Sequence, residues 1–340
     1  MPPATTRKEG GSKRVVEHHK RSTSSFPHPL SFAYLATFLG AWCFAPVIPL
    51  IAAASSFRSY SASRMGIMDH LPATVLLGYY SYRFLNPGRL WEPALRMYGR
   101  AMHSPNGACY FKSQKIVLTE PVVPDSATML CVHPHGALCL GWTVMNSCQC
   151  LGAIQAGVQY LVAPLLFNIP IIADLLSWFG TGPAVPGHMK KQMAKGKNLA
   201  ILPGGFNSAA LFTHGKYRCF VRKRVGFIKY CLQFGYNVRP VFCFGEEKTY
   251  WTSNVLEGFR MKLAERNIPP VFFLSKFGCL PFDDLDMTVV VGEPIKMPKI
   301  EKPSKEDVAK WHAVYVKALE DLFESNKAEY ASEDAVLELQ

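Results

Sequence analysis

No lysine, arginine, aspartate or glutamate stands between Ser22 and Phe57, and residues 31–54 (SFAYLATFLGAWCFAPVIPLIAAA) are almost wholly apolar. Crossing a bilayer core takes about 20 residues, so this run is long enough to span. A soluble helix is rarely apolar all round. A cleaved signal peptide would carry a shorter apolar region nearer the start. Pro46 and Pro49 are expected to kink or break the helix. A second apolar piece, residues 71–82 (LPATVLLGYYSY), follows Arg58 and Arg64. The pair predicts a membrane hairpin or re-entrant segment over residues 30–83, with both flanks on one side. A single span or a monotopic wedge is the alternative. The polar residues 1–29 carry Arg7, Lys8, Lys13, Arg14, Lys20 and Arg21 against Glu9 and Glu17, and predict a disordered basic arm. Those charges suit a cytosolic flank, although Arg58 and Arg64 in the turn weaken that argument.

Asn86-Pro87-Gly88 marks the boundary of a third region, residues 84–340, in which short strands alternate with helices. Strands are expected at 127–132, 158–162, 198–202, 238–244 and 287–291. Helices are expected at 136–150, 171–179, 187–195 and 226–234. A last helix starts at Ser304, capped with Asp307, with Val308, Trp311, Tyr315, Leu319 and Leu322 at helical spacing. The fold class is therefore α/β, a largely parallel sheet with flanking helices, preceded by the N-terminal hairpin. Ten cysteines are scattered without a CxxC pair, which predicts small buried hydrophobes in a reducing compartment rather than a disulfide framework.

The sharpest local feature is Cys131-Val132-His133-Pro134-His135-Gly136, set between a predicted strand and a predicted helix. Ligands of open α/β sheets bind at such junctions. A neutral imidazole there is suited to taking a hydroxyl proton near neutral pH. One of the two histidines filling the core is the bland alternative. A metal reading would use His133, His135 and a cysteine, but no further ligands recur at metal spacing, so no metal is expected.

A second strand end carries Pro203-Gly204-Gly205-Phe206-Asn207-Ser208, where glycines let backbone N–H groups approach an anion. The net charge is +12, and between Leu175 and Gly245 there are eleven Lys and Arg but no Asp or Glu. Arg222, Lys223 and Arg224 lie in that stretch. Its partner should be polyanionic: coenzyme A or an anionic membrane surface fits. Nucleic acid is not expected, because no nucleic-acid motif accompanies the charge. The acid-free stretch ends at Glu246, which could orient a histidine, pair with a base, or lie on the surface.

These pieces, in this order, resemble the type-2 diacylglycerol acyltransferase family, which includes monoacylglycerol and wax-ester acyltransferases. The resemblance rests on His133-Pro134-His135-Gly136, Pro203-Gly204-Gly205 and Arg222-Lys223-Arg224-Val225-Gly226-Phe227-Ile228-Lys229. It continues with Pro240-Val241-Phe242 through Glu246, Val291-Gly292-Glu293-Pro294-Ile295, and Pro298, Pro303, His312 and Tyr315. It covers the chain from Tyr110 onward.

The resemblance implies an acyl-CoA-dependent O-acyltransferase that turns diacylglycerol into triacylglycerol. The cosubstrate is acyl-CoA, with no bound cofactor. The implied location is the endoplasmic reticulum membrane with the catalytic domain cytosolic, and lipid droplets. Assembly as a homo-oligomer is left open. The implied base is His135, with His133 as its neighbour. Pro134, Gly136, Pro203, Gly204, Gly205, Ser208, Arg222, Lys223, Arg224 and Glu246 are implied in substrate binding. Ser208 departs from the family, standing where its members carry a Glu that can partner the histidine. That departure motivates a weakened, lipid-binding alternative in which Ser208→Glu would raise activity. Leu138 and Leu140 stand where the His-x4-Asp pattern of glycerol-phosphate acyltransferases would place an Asp.

Overall fold

The computed structural model describes residues 14–21, 26–61, 67–103, 109–148 and 150–340. In chain order its elements are β1 (Arg14–Lys20), α1 (Pro29–Phe44), α2 (Val47–Ser61), α3 (Ile67–Leu85), α4 (Glu92–Met102), β2 (Ser113–Leu118), β3 (Thr128–His133), α5 (Leu140–Ser147), β4 (Val158–Val162), α6 (Ile172–Trp178), β5 (Gly182–Pro183) and α7 (Pro186–Met193). They continue with β6 (Asn198–Ile201), α8 (Gly205–Leu211), β7 (Tyr217–Cys219), α9 (Gly226–Phe234), β8 (Asn237–Phe244), α10 (Glu257–Glu265), β9 (Asp286–Val291), β10 (Ile295–Lys296), α11 (Lys305–Tyr330) and β11 (Leu337–Leu339).

The main sheet runs β1-β2-β9-β8-β3-β6-β4-β5, with β10 extending along β8. Strands β8, β3, β6, β4 and β5 are mutually parallel. Strands β2 and β9 are parallel to each other, and β9 runs antiparallel to β8. The largely parallel α/β architecture is thus as expected. Both faces are covered, so the central strands are buried along nearly their whole length and largely apolar. Along β3, Leu130 and Val132 enter the core shared with α4 and α5, while Met129 and Cys131 enter the core shared with α9 and α11. Along β8, Val241 and Cys243 face the first core, and Phe242 and Phe244 the second.

The disordered arm expected over 1–29 is corrected in its second part. Arg14–Lys20 is a strand, antiparallel to β2 from Arg14↔Leu118 to Lys20↔Ser113. Strand β2 would otherwise leave a row of unpaired backbone groups at the sheet edge, and β1 satisfies them. Residues 1–13 and 22–25 of that arm lie outside the described residues.

Ala45 and Pro46 form a turn between α1 and α2, as the proline predicts, whereas Pro49 sits in the first turn of α2, where its missing N–H costs no bond. Together Pro29–Ser61 is 33 residues with a mean hydropathy of 1.9 over its most apolar window. Among the described residues it is the one helical stretch long and apolar enough to cross a membrane. Helix α3 packs against α2 but lacks that hydropathy. One face of α1 is part of the domain: Leu35 and Leu39 are fully buried in the main core, and Ser31 Oγ donates to Ala101 O at 2.5 Å. Helix α3 is tied down through Asp174, which accepts from Tyr79 Oη at 2.5 Å and from Arg83.

The final helix bears the expected reciprocal cap, with Asp307 N donating to Ser304 Oγ and Ser304 N to Asp307 Oδ2, both at 3.0 Å. All ten cysteines are free thiols.

Candidate active site

Strands β6, β3 and β8 end at the same edge of the sheet. The pairings Cys131↔Ile201 and His133↔Phe242 carry His133-Pro134-His135-Gly136, Pro203-Gly204-Gly205 and Gly245-Glu246 to neighbouring strand ends. The three motifs, separated by scores of residues in the chain, become one cluster at the carboxyl edge of a parallel sheet.

The two histidines have different environments. His133 is 1% exposed, and its Nε2 shares a 2.8 Å hydrogen bond with Tyr315 Oη on α11. Phe227 of α9 packs edge-on against the same tyrosine, 5.1 Å between centroids. Burial pushes His133 from the ordinary 6.5 down to about 3, so it stays neutral in the folded chain. The unfolded chain binds that proton first. Stability present above about pH 6.5 is therefore lost as pH falls toward 3, on the order of 5 kcal/mol in full. The stability difference between the chain and His133→Gln, measured by denaturant titration, should therefore shift against the chain as pH falls from 7 to 5.

His135 is half-buried at the mouth of the strand end. Its Nδ1 lies 3.0 Å from Gly136 O. A carbonyl can only accept, so Nδ1 carries the proton, and the lone pair of the neutral ring is on Nε2. Burial also lowers this histidine, partly offset by that backbone bond. Cys139 Sγ sits against the ring edge, 3.3 Å from Nδ1 and 3.4 Å from Nε2.

The helix expected from Gly136 begins only at Leu140, because Gly136 (φ +67°) and Cys139 (φ 54°) first turn the chain through left-handed conformations. At Gly136 a Cβ would stand 1.9 Å from Glu246 Oε1, so only glycine fits.

Glu246 meets backbone amides rather than a histidine or a basic side chain. It is 1% exposed, and its carboxyl accepts from Leu140 N at 3.1 Å and Gly141 N at 2.5 Å. It caps α5 from another strand, since Cys139 makes no side-chain cap of its own. Burial pushes it up to about 8, against the pull of the two amides. Among the described residues no carboxylate is hydrogen-bonded to His135.

Ser208 likewise meets a backbone amide. Its Oγ accepts from Phe220 N at 3.0 Å, and it is 4% exposed. A Cβ on Gly204 would meet Ser208 Oγ at 1.8 Å and Phe220 O at 2.7 Å, so Gly204 is required for this close approach. Gly205 N donates to Leu202 O at 2.9 Å and is thus engaged in its own turn, not free for an anion. Ser208→Glu is therefore expected to lower folded yield rather than raise activity, because the longer carboxylate has no room and strands Phe220 N. A thermal melt beside the acyl-transfer assay checks this. A gain of activity at unchanged stability would refute it.

The basic block follows directly. Arg222, Lys223 and Arg224 are exposed, ahead of α9. Arg224 bonds Asn207 on α8 and lies over the Phe220 ring, 5.4 Å to the centroid. Exposed Arg222 pairs loosely with half-buried Glu320 at 3.3 Å, a pair worth little in water. His312 Nε2 donates to Val221 O at 3.0 Å, and Gln340 O accepts from Val221 N and Arg222 N, each at 2.7 Å. The structure thus sets the basic loop beside the Gly204 turn. Tyr315, Cys139 and Asn207 complete the site without having been singled out for it. In the sequence Tyr315 is one residue of a core stripe and one of the residues of the family resemblance, with no site role attached. The spacing of Cys139 four residues after His135 was the one available signal for it.

The family profile described as Diacylglycerol acyltransferase matches residues 100–340. Diacylglycerol O-acyltransferase 2-like protein 6 of Mus musculus is 31% identical over 247 residues, 65% of this chain and 73% of that protein. 2-acylglycerol O-acyltransferase 3 of Homo sapiens is 30% identical over 233 residues, 63% of this chain and 68% of that protein. Diacylglycerol O-acyltransferase 2 of Xenopus tropicalis is 29% identical over 241 residues, 65% of this chain and 66% of that protein. Among solved structures, the 1-acyl-sn-glycerophosphate acyltransferase PlsC of Thermotoga maritima aligns over 86% of this chain and 95% of its own, with 13% identity and a TM-score of 0.38. The class is that of acyltransferases of lipid metabolism. Within it, the chain belongs to the type-2 diacylglycerol acyltransferase family.

Proposed function

We propose that this chain transfers the acyl group of acyl-CoA to the free hydroxyl of diacylglycerol, giving triacylglycerol, with His135 as general base. The observation that supports this most is the Nδ1 contact to Gly136 O, which leaves the Nε2 lone pair to receive a proton. Nε2 takes the acceptor's hydroxyl proton as that oxygen attacks the thioester carbonyl. The tetrahedral intermediate collapses, the C–S bond breaks, and the coenzyme A thiolate leaves, with the proton passing from the imidazolium to the sulfur. Depression of His135 by burial keeps the ring neutral and ready at neutral pH. His133, held by Tyr315, positions the turn from below.

Arg222, Lys223 and Arg224 are suited to the phosphates of coenzyme A, and they stand beside the turn at Pro203 and Gly204. With Gly205 N engaged, these basic side chains and other backbone amides of that turn are the donors at hand for the developing oxyanion. Glu246 and Ser208 hold the scaffold and do not touch substrate in this reading. The setting is the endoplasmic reticulum membrane with the domain on its cytosolic side, and the lipid droplets that receive triacylglycerol.

Relatives named for acylglycerol and wax-alcohol acceptors are similar to this chain at 30% and 28% identity, which supports a second reading with the same chemistry on monoacylglycerol or a fatty alcohol. Microsomes from yeast lacking its own neutral-lipid acyltransferases, given labelled acyl-CoA and the three acceptors in parallel, separate these. Label in triacylglycerol is the expected result. Label only in diacylglycerol or wax ester moves the chain to the sister activity, and label nowhere rejects transfer to all three.

A further inference from the structure

Residues 251–277 form an apolar surface outside the histidine turn. Trp251, Val255, Leu256, Phe272, Leu274 and Phe277 are all exposed, Val255 at 83% and Leu274 at 64%. Trp251 and Leu274 exchange backbone hydrogen bonds of 3.0 and 2.8 Å, so the two arms of the segment are pinned together and the apolar side chains form one patch. Phe259 of α10 adds to it, 6.2 Å from Phe272 between ring centroids. Between the arms lies an open cleft of about 460 Å³, lined almost entirely by these apolar groups. Its floor is closed by Arg260, 1% exposed, whose guanidinium donates to Phe212 O at 2.9 Å and Ser253 O at 3.0 Å. A contiguous apolar patch of this kind marks an interaction surface.

Two features identify its occupant. The patch is continuous with α1, the apolar helix: Phe277 meets Phe32 of α1 at 5.8 Å and Phe26 just before it at 6.2 Å, both edge-on. Val271 and Phe273 pack into the same core as Phe32 and Phe38. A plane that receives α1 therefore also meets this patch. Exposed Lys262, Arg266 and Glu265 fringe it, Lys276 pairs with Asp283 at 2.9 Å, and Glu257 is withdrawn into a bidentate pair with Arg218 at 2.6 and 3.1 Å. An apolar centre with a charged rim fits the interface of a lipid leaflet.

We propose that the face formed by residues 251–277 seats in the lipid leaflet that α1 enters, its cleft taking an acyl chain from that leaflet. The domain then has a second contact with the bilayer, independent of the N-terminal helices and contributed by the catalytic region itself. The proposal rests on the membrane setting proposed above but concerns lipid contact rather than turnover, so it stands apart from the acceptor assigned there.

The test uses the full chain in floated vesicles of phosphatidylcholine and phosphatidylserine containing tritiated phosphatidylcholine. A benzophenone amino acid is placed singly at Leu256 or Phe272, at Ile51 in α2 as the lipid-facing reference, and at Val336 as an exposed apolar position elsewhere on the domain. The expected result is lipid adduct at Leu256 and Phe272 several-fold above Val336 and comparable with Ile51. Adduct at both positions no higher than at Val336 overturns the proposal, whether or not Ile51 is labelled. Four exposed positions are used so that folding is undisturbed, and flotation confirms that each variant is membrane-bound before irradiation.

Discussion

His135→Ala is expected to reduce acyl transfer by about two to four orders of magnitude, the usual contribution of a positioned base. Expression and membrane association should be unchanged. The ring is half-buried and its contacts are local, to Gly136 O and Cys139 Sγ, so its removal opens no sealed core. His133→Ala is the informative contrast. That ring is fully enclosed and bonded to Tyr315, so its loss should appear first as lowered thermal stability. Measuring kcat/KM and melting temperature for both variants separates a base from a support. Near-normal turnover by His135→Ala would remove its assigned role.

The second large effect is expected at Gly136. Alanine there places a Cβ 1.9 Å from Glu246 Oε1 and 2.5 Å from Cδ, in a backbone conformation with φ +67°. The left-handed conformation alone costs about 1–2 kcal/mol for a residue with a Cβ. The collision then forces the carboxyl away from Leu140 N and Gly141 N, leaving two buried donors unmet at about 1–3 kcal/mol each. Glu246→Ala should lose the same two bonds without the collision. In the double variant the two losses should not add, because the cap is removed once and the clash disappears. Denaturant titration of the four proteins gives the coupling. Additive losses would mean that Glu246 and Gly136 act separately.

Much of this site can be read from residues in order, because each motif ends a strand. Runs such as 127–132 and 238–244 are apolar at nearly every position, Thr128 and Arg239 excepted, as in a sheet covered on both faces, and their ends then locate His133 and Glu246. Reading stops where the role of a side chain depends on a distant backbone atom. Ser208 occupies the position expected to carry a histidine partner, yet it serves Phe220 N, an amide twelve residues away brought close by the approach of backbone to Gly204. Glu246 follows its strand as expected, but the start of α5 at Leu140 gives it amides to cap. That start depends on two left-handed residues, one of them not glycine, which no helical periodicity reveals. Strand β1 is hidden for a related reason. A charged arm with one valine pair has no pattern of its own, and its conformation comes from the unpaired edge of β2.

Pairing of Lys20 with Ser113 has one more consequence. Helices α1 to α4 all lie between Lys20 and Ser113, so they form an insertion whose two ends are stapled together. A domain hung from a single linker can swing and roll beneath its anchor. One gripped at both feet of a loop, with Arg21 also paired to Asp283 at 2.7 Å, behaves as a bracket. The height and tilt of the histidine turn relative to the helices are then built into the covalent and hydrogen-bonded frame. Lengthening the residues between β1 and α1 would loosen that bracket without altering a single group at the turn.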